Sequence, residues 1–65
     1  MTMNREELTE LVNDLDKLHD LMRAISSRMT QADGEMLVHG RELDGASLKI
    51  LSWIKAIEAI LDGVQ

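Results

Sequence analysis

Apolar residues recur along this chain at alternating steps of three and four. The first series is Leu8, Leu11, Leu15, Leu18, Met22, Ile25, Met29, Ala32 and Met36. That spacing is a heptad seam sustained over about four repeats, which predicts one long amphipathic helix. Val12 and Leu21 widen the seam on its flanks. A second series runs through Met36, Gly40, Leu43, Ser47, Ile50, Ile54, Ile57, Leu61 and Val64. The two do not join smoothly, because Ala32, Met36 and Gly40 are separated by two successive steps of four. The slip coincides with Asp33-Gly34, a turn dipeptide. The pattern therefore predicts an all-α, coiled-coil-like antiparallel hairpin filling residues 1–65 as a single domain. Its first helix covers about 4–31, the turn about 32–35 and the second helix about 36–62. A competing placement puts a longer loop across residues 38–45, where Gly40, Asp44 and Gly45 lower helix propensity and Asp44 caps a shorter second helix.

Local signals agree with the long first helix. Asn4 is a good N-cap, and Glu7 follows three residues later as in a capping box. Met3 and Leu8 take the staple positions. Glu6 and Glu7 face the positive end of the helix dipole. No proline or glycine interrupts residues 4–33. Asp62-Gly63 is the expected end of the second helix.

The two helices differ in kind. The first has a polar back, whereas the second, reading ILSWIKAIEAIL, is apolar over most of its circumference. A helix apolar nearly all round is normally buried by more than one neighbour, and a hairpin supplies only one. The expected hairpin core is Leu11, Leu15, Leu18, Met22, Ile25 and Met29 against Ile50, Ile54, Ile57 and Leu61. The surplus apolar residues Leu51, Trp53, Ala56 and Ile60 are the expected partner-binding set, since a large exposed apolar patch marks an interaction site.

Composition sharpens this. Sixty-five residues bury only about 60% of the unfolded surface, so a lone chain is marginal. With no Cys and only His19 and His39, neither a disulfide nor a His-built structural metal site offers help. A partner chain or homodimerisation is the remaining way to complete the fold. The formal net charge of −5 argues against sequence-independent binding to nucleic acid or anionic lipid. Arg5, Lys17, Arg23, Arg28, Arg41, Lys49 and Lys55 are scattered among acids, with no interleaved aromatic residue to stack on bases. The segment from Ile50 to Leu61 is too short to span a bilayer and carries Lys55 and Glu58. MTMNREEL has no apolar signal-peptide core. The expected compartment is the cytoplasm.

Side chains with catalytic or metal-binding potential form no coherent constellation. Asp16, His19, Asp20 and Arg23 share two turns of the first helix and read as a solvated charge cluster. His39 and Glu42 have i,i+3 spacing but no third ligand nearby. Ser26-Ser27 has no activating base at a plausible spacing. The isolated glycines form no phosphate-cradling loop. The chain is read as a non-enzyme without cofactor or metal. Met22, Met29 and Met36 are adaptable core fillers, and Trp53 is placed as an interface anchor.

The hairpin plan, Asp33-Gly34 and the closing run LKILSWIKAIEAILDGVQ resemble the small co-chaperones of type III secretion needle subunits, whose closing pattern is like Ala56-Ile57 followed by Ile60-Leu61. The resemblance spans most of the chain and rests on pattern, with no signature motif. It implies a cytoplasmic adaptor that joins a tetratricopeptide-type chaperone and helps keep a needle subunit from polymerising. The length and hairpin plan are also similar to the RNA-binding four-helix-bundle dimers of the Rop type. Their basic face has no clear counterpart here, so that likeness implies architecture, a homodimeric scaffold or regulator, and not RNA binding. LDKLHDLM looks like the aspartate-phosphatase peptides of sporulating bacteria, but their motif lies on the second helix and here it lies on the first.

Overall fold

The structure is a computed structural model that describes residues 3–63; the second-seam position Val64 lies outside them. Two helices, α1 (Arg5–Thr30) and α2 (Glu35–Gly63), pack side by side as an all-α hairpin. The molecule measures 50 × 19 × 14 Å, one layer of helices thick.

Asn4 starts α1 with extended backbone, and its side-chain oxygen accepts from the Glu7 amide at 2.8 Å. Such a cap contributes about 1 kcal/mol. Glu6 and Glu7 occupy the first turn and Arg28 the last, each matched to the dipole end it faces. The reversal occupies residues 31–34. Ala32 N–H donates to the Met29 carbonyl, and Gly34 reverses the chain at φ 68°, a left-handed value that favours glycine. α2 then runs unbroken through Gly40, Asp44 and Gly45, so residues 38–45 are helix and not loop. At the other end of the hairpin the Arg5 guanidinium donates to the Leu61 carbonyl at 3.3 Å. A cation thus meets the orphan carbonyls of the last turns of α2.

Buried and half-buried positions define the seam. On α1 they are Leu8, Val12, Leu15, His19, Met22, Ser26 and Met29, with Leu11 beside them. On α2 they are Gly40, Leu43, Ser47, Ile50, Ile54, Ile57 and Leu61, with Leu37 and Leu51 beside them. Both sets alternate by three and four. The α2 set is the second series of the sequence pattern, but Met36 is exposed. The α1 set is not the first series. Leu18 and Ile25, expected in the hairpin core, remain 42% and 38% exposed, while His19 and Ser26 take the seam.

The physical reason is the width of the apolar arc on α1. Leu8, Leu15, Met22 and Met29 form its centre, with Leu11, Leu18 and Ile25 on one side. One neighbouring helix covers only part of such an arc. Small residues decide which part. A methyl group added at Gly40 would sit 2.8 Å from Thr30 Cγ2 and 2.9 Å from Met29 Cβ, so the helices touch through backbone here. Ser26 and Ser47 continue the small positions, and each hydroxyl donates within its own helix, to the Arg23 and Asp44 carbonyls. Both serines are buried without an unmet hydrogen bond. Nearer the open end the seam fills with larger side chains, and Leu8, Ile50 and Ile54 are the buried apolar residues.

Candidate protein-binding surface

A helical hairpin has two flanks, one on each side of its seam. Residues following Leu8, Leu15, Met22 and Met29 lie on one flank of α1: Thr9, Asp16, Arg23 and Thr30. In an antiparallel pair this flank lies beside the equivalent flank of α2, which carries Asp44, Leu51 and Glu58. Arg23 Nε lies 3.3 Å from Asp44 Oδ1, which fixes that pairing. Both side chains are about half exposed, so the ion pair orients the helices more than it stabilises them.

The opposite flank follows from 100° per residue. It carries Leu11, Leu18 and Ile25 from α1 and His39, Ala46, Trp53 and Ile60 from α2. Leu21 and Ala56 lie one step further out on the same side. Trp53 is 50% and Ile60 53% exposed. At the turn end this flank meets a shallow recess lined by Ile25, Met29 and Met36 with Arg28. From His39 to Ile60 this flank of α2 runs about 32 Å at about 1.5 Å per residue, with Trp53 and Ile60 as its large exposed apolar residues.

The structure sorts the four expected partner-binding residues onto two flanks. Trp53, Ala56 and Ile60 stand together on the apolar flank, and Ala56 is exposed between the other two. Leu51 stands apart: it is half-buried on the flank of the Arg23–Asp44 pair. Among the ten expected core residues, Ile50 and Ile54 are buried, and Leu11, Leu15, Met22, Met29, Ile57 and Leu61 are half-buried. Leu18 and Ile25 join the exposed surface. On α1 the largest apolar residues point to a seam through Leu18 and Ile25. Ser26, a small residue matching Gly40 and Ser47 of the α2 series, is the available signal for the observed one.

The charge cluster on α1 is also divided. Asp16 and Asp20 are solvated, but Arg23 reaches across to Asp44. His19 turns toward the seam, with Nδ1 3.7 Å from Asp20 Oδ1. Its Nε2 is buried and lacks a hydrogen-bond partner. His39 Nδ1 lies 3.4 Å from Glu42 Oε1 in an exposed i,i+3 pair. Among the described residues no group of three or more His, Asp or Glu is placed to hold a metal ion, and no helix is long and apolar enough to cross a membrane. Comparison with protein-family models, curated proteins and solved structures finds no match to this chain.

Proposed function

We propose that this chain is a protein–protein interaction module, a small cytoplasmic adaptor of the co-chaperone kind, that binds through its apolar flank. One observation carries the reading: both helices contribute exposed apolar side chains to the same flank, Leu18 and Ile25 from α1 with Trp53 and Ile60 from α2. Scattered exposed apolar residues are ordinary; a continuous two-helix stripe rimmed by charge is the pattern of an interaction site. Trp53 is its natural anchor, since tryptophan carries a large share of binding energy at the centre of such surfaces.

The test is capture from the host by the full chain and by Leu18→Glu and Trp53→Ala variants, with circular dichroism on each. Loss of capture with helicity retained supports the reading. Unchanged capture by both variants refutes it.

A further inference from the structure

We infer that the apolar flank is occupied by a second copy of this chain, forming a four-helix bundle in which the two hairpins run in opposite directions. The inference rests on the protein-binding reading above and names its partner.

Register supplies the first argument. Gly40 packs on Met29, and Arg23 reaches Asp44, so Leu18 is level with residues 49–51 of α2. A two-fold axis crossing the flank at that level stacks each helix on its own copy, reversed. Leu18 then meets Leu18 of the second copy, and Leu11 meets Ile25, each seven residues from the axis. On α2, Trp53 meets Ala46, a large residue over a small one, and Ile60 meets His39. Interdigitation of large with small is what a packed layer requires.

Charge gives the second argument. The α1 rim of the flank carries Glu7 and Asp14 toward the open end and Arg28 toward the turn. Reversal about Leu18 places Glu7 beside Arg28 of the second copy, twice in the dimer. The α2 rim brings the two Lys49 side chains near each other at the axis. Their long stems carry the ammonium groups out to solvent, so this repulsion is weak.

Size gives the third. A flank about 32 Å long on a hairpin 19 Å wide has a footprint of about 600 Å², at the lower edge of the roughly 600–1,000 Å² per partner that a stable interface buries. A molecule 14 Å thick has one helix layer and no interior on this side; a second layer creates one.

The full chain is tested by sedimentation and by tryptophan fluorescence, since Trp53 is its only aromatic residue. We expect a species of twice 7.3 kDa at micromolar concentration. Its Trp53 emission should shift to the red on dilution as the flank is exposed. Leu18→Glu should raise the dissociation constant at least about tenfold, as for loss of a central contact. Glu7→Arg and Arg28→Glu should each weaken self-association several-fold, and a mixture of the two chains should recover it, because each then supplies the charge that the other lacks. That recovery also serves if Leu18→Glu fails to fold. A dimer unaffected by Leu18→Glu and not rescued by the mixture overturns the inference. So does a folded monomer at all concentrations. If that monomer still captures a different protein through Leu18 and Trp53, only the second copy is wrong; if it captures none, the binding surface is wrong as well.

Discussion

The two flanks of the hairpin have the same backbone geometry and different chemistry. One is closed by Arg23 and Asp44 and carries Thr9, Asp16 and Glu58 with a half-buried Leu51 and an exposed Leu48 further out. The other exposes Leu18, Ile25, Trp53 and Ile60. Because the helices are related to both flanks in the same way, the difference belongs to the side chains alone. It shows that the hairpin is held by only part of the apolar surface of its helices: Leu8, Ile50 and Ile54 are buried, while Leu18, Ile25, Trp53 and Ile60 stay outside. A seam displaced toward Leu18 and Ile25 would bury more apolar surface within one chain. The observed seam accepts His19, Ser26, Gly40 and Ser47 and leaves the larger residues outside. Packing contact through small residues is combined with an unused apolar surface, and that surface is where a second layer adds stability.

Substitutions in the seam should break both flanks together and give the largest effect. Ile54 is buried, so Ile54→Ala should cost about 2–5 kcal/mol of folding free energy, measured by urea titration of helicity at fixed concentration. Gly40→Ala should also destabilise. The overpacking cost of about 1–3 kcal/mol exceeds the gain of just under about 1 kcal/mol from helix propensity, because the contacts include Met29 Cβ and the Thr30 backbone nitrogen at 3.0 Å. Gly45→Ala is the control: nothing lies within 4 Å, so the same change should stabilise by about 0.5–1 kcal/mol. If both glycine variants behave alike, close helix contact at Gly40 is not what sets the seam.

His19→Leu should raise stability by about 1 kcal/mol in the same titration, since it removes a buried nitrogen without a partner. The smallest effect sharpens the contrast between flanks. Asp44→Ala should change stability by less than about 1 kcal/mol, because its ion pair with Arg23 is half exposed. A larger loss would make the polar flank, and not the seam, the clasp of the hairpin.

Much of the fold was legible along the chain. Asn4, Asp33-Gly34 and the α2 series carry local or strictly periodic signals, and local chemistry determines a cap or a turn. Which side of α1 meets α2 was not legible from hydrophobicity. Val12, Leu15, Leu18 and Met22 span an arc broader than one helix covers, so several rotations satisfy the pattern equally. The choice depends on how closely the backbones approach, which is decided at Ser26, Gly40 and Ser47. Helical spacing already sets Leu51 and Trp53 on opposite sides of the α2 seam; what needs the structure is which α1 flank each side meets, and the Arg23–Asp44 pair shows it. Trp53 and Ile60 were recognisable as surplus because α2 carries more apolar surface than any single partner helix takes.

The touch of Gly40 on Met29 and Thr30 bears on the order of events in folding. It joins positions about ten residues apart across the Gly34 reversal, so closing that loop is quick, on the scale of about 10–100 ns. The open end, where Leu8 and Leu61 lie on the seam, joins parts of the chain far more distant in sequence, and its closure carries a greater entropic cost. Loop-closure entropy alone therefore favours docking from the turn, where Gly40 meets Met29, toward the aliphatic open end.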